Sequence, residues 1–290
     1  MGAVAISCKT EVSAIYYALL QLGYEFYALD KAPDLALVLA GFRREEIGFD
    51  PSFFSAVKQA SCAVYPYWPR AFALEVAAFH VCPKSQVFLD FPAYKQYIMD
   101  APNIADRERD EGFWSWVERF PQALRSVMED GGFREYLAWE RSWMIQQREL
   151  WSRQIQSIGE ITDVCEGLYH APAVEVSTIL TPIKCSYSAD YFKQGNRLNV
   201  VLGSFRMDAI IHEYLHPVLR SVIQKHAQTV LACNPACSGI DSSYYAGGGA
   251  QGILSAFEEY MVRQLTDDLL ESRFPESLDE YILRILRDGA

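Results

Sequence analysis

Apolar positions recur at helical spacing through the first half of the chain. Val12 to Leu22, with Ile15, Leu19 and Leu22 on one stripe, predicts a helix, and Phe72 to Phe79 a short apolar one. Polar breaks at Asp100–Asp110 and at Asp130-Gly131-Gly132 punctuate this half. From Phe133 to about Ile158, Leu137, Met144, Trp151 and Ile155 stripe one side with Trp143 and Leu150 beside it, which predicts one long amphipathic helix. Such an aromatic stripe can line a ligand groove, but packing is the commoner fate of large rings.

The period changes near residue 170. Val174 to Leu180 alternates and is rich in β-branched residues, as a half-buried strand is. Arg197 to Leu202 predicts a second strand after a turn at Gln194-Gly195-Asn196; Gly203 and Ser204 end it, and a helix follows at once through His212. There is no internal repeat and no low-complexity tract. The expected fold class is α+β, mostly helical, with a small antiparallel or mixed sheet next to the helix that holds His212. A mainly helical region over 1–165 and a second region over 166–290 follow, with a soft boundary that one compact unit would erase.

Composition narrows the function classes. With 290 residues, half of them apolar and 13% aromatic, there is material for one large core or two moderate ones. Lys plus Arg number 26 against 37 Asp plus Glu, a net charge of −11, which disfavours nucleic acid and anionic membrane surfaces as partners. No apolar run approaches the ~20 residues that span a bilayer. Met1 to Lys9 lacks a basic region, a long apolar stretch and a small-residue cleavage site, so the expected location is cytoplasmic; a leader already removed would leave the same pattern. Seven cysteines scattered over this length do not form a disulfide framework. Cys233 and Cys237, four apart around Pro235, could bridge or bind metal, but no second pair stands at zinc-ribbon spacing.

The segment Ile210-Ile211-His212-Glu213-Tyr214-Leu215-His216 carries the chemistry. On a helix, residues four apart share a face, so both imidazoles can bind one zinc ion at ~2.1 Å. Glu213 sits about 100° round from His212, beside the ion, which suits a general base acting on a metal-bound water. Ile211, Leu215, Leu219 and Ile223 put the histidines next to the buried face, where uncompensated imidazoles are costly. Pro217 removes one helical amide and is expected to kink or loosen the helix there.

A catalytic zinc takes a third protein ligand and keeps a fourth position open. No histidine follows at short spacing; the next is His226. Ser255 to Arg263 offers two adjacent carboxylates on a helical segment, and its apolar face (Leu254, Phe257, Met261, Leu265) lies nearer Glu258 than Glu259. A glutamate on a second helix is the gluzincin arrangement. The pairing of His212-Glu213-Tyr214-Leu215-His216 with Glu259-Tyr260-Met261-Val262-Arg263 resembles an uncharacterised bacterial family of zincin-like metallopeptidases. Ile6 to Ile15 is similar to that family's opening segment. The resemblance covers about 200–265 well and does not extend to the middle of the chain. It implies that the glutamate four residues before the arginine is the ligand, hence Glu259, and that the fold around it is zincin-like.

Gluzincins often add a His or Tyr that stabilises the oxyanion. No histidine occurs after His226, so Tyr244, Tyr245 and Tyr281 are the candidates, although ordinary core packing is the commoner role for each such tyrosine. Gly247-Gly248-Gly249 lacks the Lys-Ser/Thr of a phosphate loop. The expectation is therefore a zinc-dependent hydrolase, a peptidase acting on a peptide or protein, with strand 197–202 lying along the cleft and open to strand addition. Two alternatives stand beside it. One is a non-catalytic zinc protein with a closed site completed by Cys233, Cys237 or His226. The other is a zinc hydrolase of non-peptide amides or esters.

Overall fold

The computed structural model describes residues 4–24, 31–58, 60–61, 66–101, 104, 109–240 and 249–288. Strand β1 (Val4–Ser7) opens the chain. Helices α1 (Thr10–Gln21), α2 (Pro33–Ala40), α3 (Pro69–Ala77), α4 (Phe91–Asp100), α5 (Glu111–Val117), α6 (Phe120–Glu129), α7 (Gly131–Leu150) and α8 (Ser152–Tyr169) follow, with small hairpins β2 (Ala60–Ser61)–β3 (Pro66–Tyr67) and β4 (Val81–Cys82)–β5 (Val87–Phe88) between them. The second part holds β6 (Glu175–Leu180), β7 (Asp190–Gln194), β8 (Arg197–Leu202), α9 (Met207–Lys225), α10 (Ala227–Cys233), α11 (Gly249–Leu270) and α12 (Leu278–Asp288). The class is α+β, mostly helical, as expected.

The main sheet is mixed, in the order β1-β6-β8-β7. β1 and β6 are parallel, β6 and β8 are parallel, and β7 returns antiparallel along β8, with Asp190 opposite Val201 and Gln194 opposite Arg197. A tight turn at Gly195-Asn196, with Gly195 at φ 62°, joins β7 to β8. Because β8 has a neighbour on each side, it cannot lie open along a cleft; the outer strand beside it is β7.

Alternate residues of the sheet serve two cores. Ile179, Val201 and Phe192 join the aromatic core built on α1, α3, α6 and α7. Val176, Leu180, Leu198, Val200 and Leu202 join a second core with α9, α11 and α12. Both faces are covered, which is why β6 and β8 read as almost continuous apolar runs. β1 brings the first residues of the chain into this sheet, ~170 residues in sequence from its partner β6.

Under the first face lies a buried ionic group. Lys184 Nζ is 2.7 Å from Glu75 Oε1 and 2.6 Å from Asp190 Oδ2, and the Tyr16 hydroxyl donates to Glu75 Oε1 at 2.5 Å. These four side chains, from α1, α3, the loop after β6 and the first residue of β7, are almost wholly buried. Burial pushes Glu75 up against the pull of Lys184.

The single long helix expected over 133–158 is two helices. They break at Trp151, where the backbone leaves the helical region (φ −93°, ψ 1°). Nothing in the apolar stripe marks the break because it continues on both sides. The aromatic stripe is packing: Trp139 stacks on Trp143, Trp143 meets Trp151 edge-on, and Trp151 stacks on Phe205 at 4.8 Å and 19°. The corner thus supports the chain just before α9. Gly203, between β8 and α9, is required for space, since a Cβ there would overlap the carbonyl oxygens of Lys184 and Cys185.

Candidate metal site

Two packed helices of the second core build the site: α9 supplies the histidines, and α11, packed against it, supplies the glutamates. α9 is anchored by buried Ile210, Ile211, Tyr214, Leu215, Val218 and Leu219. It continues through Pro217 from Met207 to Lys225. The proline deletes one amide donor, and buried side chains on both sides hold the flanking turns, so the helix runs on past it. On α11, Phe257, Met261, Val262 and Leu265 are buried, and this seats both Glu258 and Glu259 facing α9 at 9% and 7% exposure.

One nitrogen of His212, one of His216 and one oxygen of Glu259 lie within 4.8 Å of one another, the grouping found among the described residues that could hold a metal ion. His212 Nε2 is 3.5 Å and His216 Nε2 3.6 Å from the same oxygen, Glu259 Oε2. A tetrahedral zinc at ~2.0–2.1 Å holds its ligand atoms about 3.3 Å apart, so this donor set fits the ion in type and in spacing. Glu213 Oε2 stands further off, 4.0 Å from His216 Nε2, beside the group.

Neighbouring residues fix these side chains. Arg263 Nε donates to Glu259 Oε1 at 2.8 Å, and its Nη1 donates to the Gly239 carbonyl at 3.1 Å. Glu258 Oε1 is 2.9 Å from His216 Nδ1. Arg220 grips both Glu258 oxygens, Nε to Oε2 at 3.0 Å and Nη2 to Oε1 at 2.7 Å, and Nη2 also donates to the Tyr191 hydroxyl at 2.9 Å. The Tyr191 ring stacks on the His216 imidazole, centroids 5.2 Å apart and planes 9° from parallel.

The electrostatics follow from burial against these neighbours. Burial alone would raise Glu259, but contact with His212 and the charges of His212, His216 and Arg263 bring it down to about 2. Burial likewise opposes ionisation of Glu258, and His216 and Arg220 overcome it, holding that carboxyl below its usual range. Burial would lower His212; the Glu259 contact and the charges of Glu213 and Glu259 raise it instead. Glu213 is pushed up by burial, with His212 and His216 opposing. Glu258 and Glu259 are held in their ionised form, and Glu259 Oε2 stands between the two imidazoles. Such a pocket favours a cation.

The remaining sequence candidates fall elsewhere. Tyr281, on α12, donates to Asp268 Oδ2 at 2.7 Å. Asp268 lies nine residues beyond Glu259, roughly 13 Å along α11, so the structure does not bring Tyr281 into the group. Tyr244 and Tyr245 lie outside the described residues. Cys233 is exposed and Cys237 buried, both as free thiols, and His226 Nε2 is 2.5 Å from Asp279 Oδ1. None of these three joins the His212–His216–Glu259 group. Sequence reasoning missed Arg220 and Tyr191. The first was visible as a cation one turn after His216, the second as the strand preceding the Gly195-Asn196 turn.

Among the described residues no helix is long and apolar enough to cross a membrane. Comparison with protein-family models, with curated proteins and with solved structures returned no match.

Proposed function

We propose that this chain is a zinc-dependent hydrolase that cleaves peptide bonds, with His212, His216 and Glu259 as the metal ligands and Glu213 as the general base. The observation that carries the reading is the convergence of two imidazole nitrogens on one oxygen of Glu259 at 3.5 and 3.6 Å, with a second carboxylate, Glu213, close by but outside the group. A purely structural zinc site closes with a fourth protein ligand, whereas this set supplies three and leaves a position for water or substrate. Held there, zinc would polarise a carbonyl and bring the pKa of water to about 7.

The chain's own residues do the rest. Glu213 would accept a proton from the attacking water and hand it to the leaving amine. Burial at 8% exposure keeps its carboxylate out of bulk solvent and raises its basicity, which suits that exchange. Strand β7, at the edge of the sheet and touching His216 through Tyr191, is the element along which an extended peptide would run. The same zinc chemistry serves other amides and esters, and the extended edge strand is what favours a peptide. The resemblance to zincin-like metallopeptidases supports the same reading through Glu259 and Arg263.

The test is zinc per chain in wild type and in His212→Ala. The reading expects one equivalent in the first and its loss in the second; equal zinc in both would refute it.

A further inference from the structure

We propose that Arg220 is a positioning residue that fixes the tautomer and ring plane of His216, acting through Glu258 and Tyr191. The inference rests on the zinc reading for its purpose, though not for its geometry. Arg220 follows His216 by four residues on α9, so the two side chains share a face one turn apart. Its guanidinium joins three elements: it belongs to α9, holds both oxygens of Glu258 on α11, and donates to the Tyr191 hydroxyl on β7.

Both partners end on the same imidazole. Glu258 meets the ring at its edge, 2.9 Å from Nδ1, and Tyr191 covers its face at 9° from parallel. The two contacts constrain different motions: the edge contact stops the ring from flipping about its Cβ–Cγ bond, and the stack stops it from tilting.

The hydrogen-bond direction follows from donor counting. Arginine has donors only, and both Glu258 oxygens accept from it. The ring nitrogen that meets this carboxylate therefore supplies a hydrogen, which places the proton of the neutral imidazole on Nδ1. The lone pair is left on Nε2, the atom that faces Glu259 Oε2. Outer contacts of this kind set ligand orientation and basicity at metal sites. A lysine at 220 could not reproduce the fork, because its ammonium is a point charge without the planar donor pair. The Arg220 side chain remains 43% exposed, so water can reach the place it leaves and the variant should fold.

The experiment uses the full chain labelled with 15N-histidine, metal-free and well above the histidine titration range, beside zinc competition against a chelator. The proteins are wild type, Arg220→Met, Glu258→Gln, the double variant, and Tyr191→Phe. Wild type should show His216 protonated at Nδ1 and bare at Nε2, and Arg220→Met should show a mixture. Arg220→Met and Glu258→Gln should each weaken zinc about 10–100-fold. The double variant should be no weaker than Glu258→Gln alone within a few-fold, because the arginine works through that glutamate. Tyr191→Phe keeps the stacked ring and should lose less than Arg220→Met. A wild-type tautomer and affinity in Arg220→Met, or losses that multiply in the double variant, would overturn the proposal. If wild type binds no zinc while its His216 tautomer still depends on Arg220, the positioning role stands and the zinc reading falls.

Discussion

Arg263 Nε donates to Glu259 Oε1 at 2.8 Å from one turn further along α11, and so leaves Oε2 as the oxygen facing His212 and His216. With one oxygen engaged by the arginine, Glu259 is disposed to offer a metal a single donor atom. Its neighbour Glu258 is engaged by Arg220 and His216 Nδ1, on the far side of the ring from Nε2. The two glutamates, adjacent in sequence, therefore have unequal weight. Glu259→Gln should cut zinc affinity beyond the 10–100-fold expected for loss of an outer partner, and Glu258→Gln should stay within it. Chelator competition on the two variants checks the order, and the reverse order would make Glu258 the ligand.

The buried ion group predicts a stability effect remote from the site. Lys184→Met would leave Glu75 and Asp190 facing each other in a wholly buried setting without their cation. Removing one partner of a buried ionic group costs on the order of 3–5 kcal/mol. Asp190 begins the strand that carries Tyr191, so the loss should also loosen β7. Denaturant unfolding measures the first effect. A change below about 1 kcal/mol would show that the group is dispensable.

Glu140 gives a pH dependence opposite to that of an ordinary carboxylate. It is wholly buried on α7, accepts from Ser13 Oγ at 2.5 Å and from the Tyr136 hydroxyl at 2.8 Å, and burial pushes it from 4.5 up to about 7. Between those values the folded chain keeps a proton that the unfolded chain has lost. Glu140's contribution to stability is therefore complete below the unfolded value and declines as pH rises through the window to about 7, by at most about 3 kcal/mol. Glu140→Gln should flatten this part of the stability curve while retaining fold. Unfolding free energies on either side of the window check it; an unchanged slope would mean Glu140 stays ionised in the fold.

The histidine helix was legible because its signal is local. His212, Glu213 and His216 need only the helical repeat to share a face, and the apolar residues around them state which face. The third member of the group was less legible. The apolar stripe of α11 points nearer Glu258, and the structure explains why periodicity could not choose: both glutamates are buried and both are used, one toward Nε2 and one toward Nδ1. Strand β7 escaped notice because only the second arm of its hairpin was recognised, although a Gly-Asn turn flanked by Tyr191-Phe192 and Leu198 carries the signal on both sides. β1 could not be read from its four residues at all, since what makes them a strand is β6, far away in sequence. The split at Trp151 lacks a Gly or Pro to announce it and is imposed by tertiary packing against Phe205.

The central claim, hydrolysis at a zinc site with Glu213 as base, is tested most directly by peptide-library cleavage with wild type and Glu213→Gln, both shown to carry one zinc per chain. Glu213 lies outside the His212–His216–Glu259 group, so its loss should leave the metal in place while removing a general base, a change that typically costs 10²–10⁴-fold in rate. The account predicts cleavage by wild type and a loss of that size in the equally loaded variant. No cleavage by fully loaded wild type, or equal cleavage by the two proteins, would contradict it.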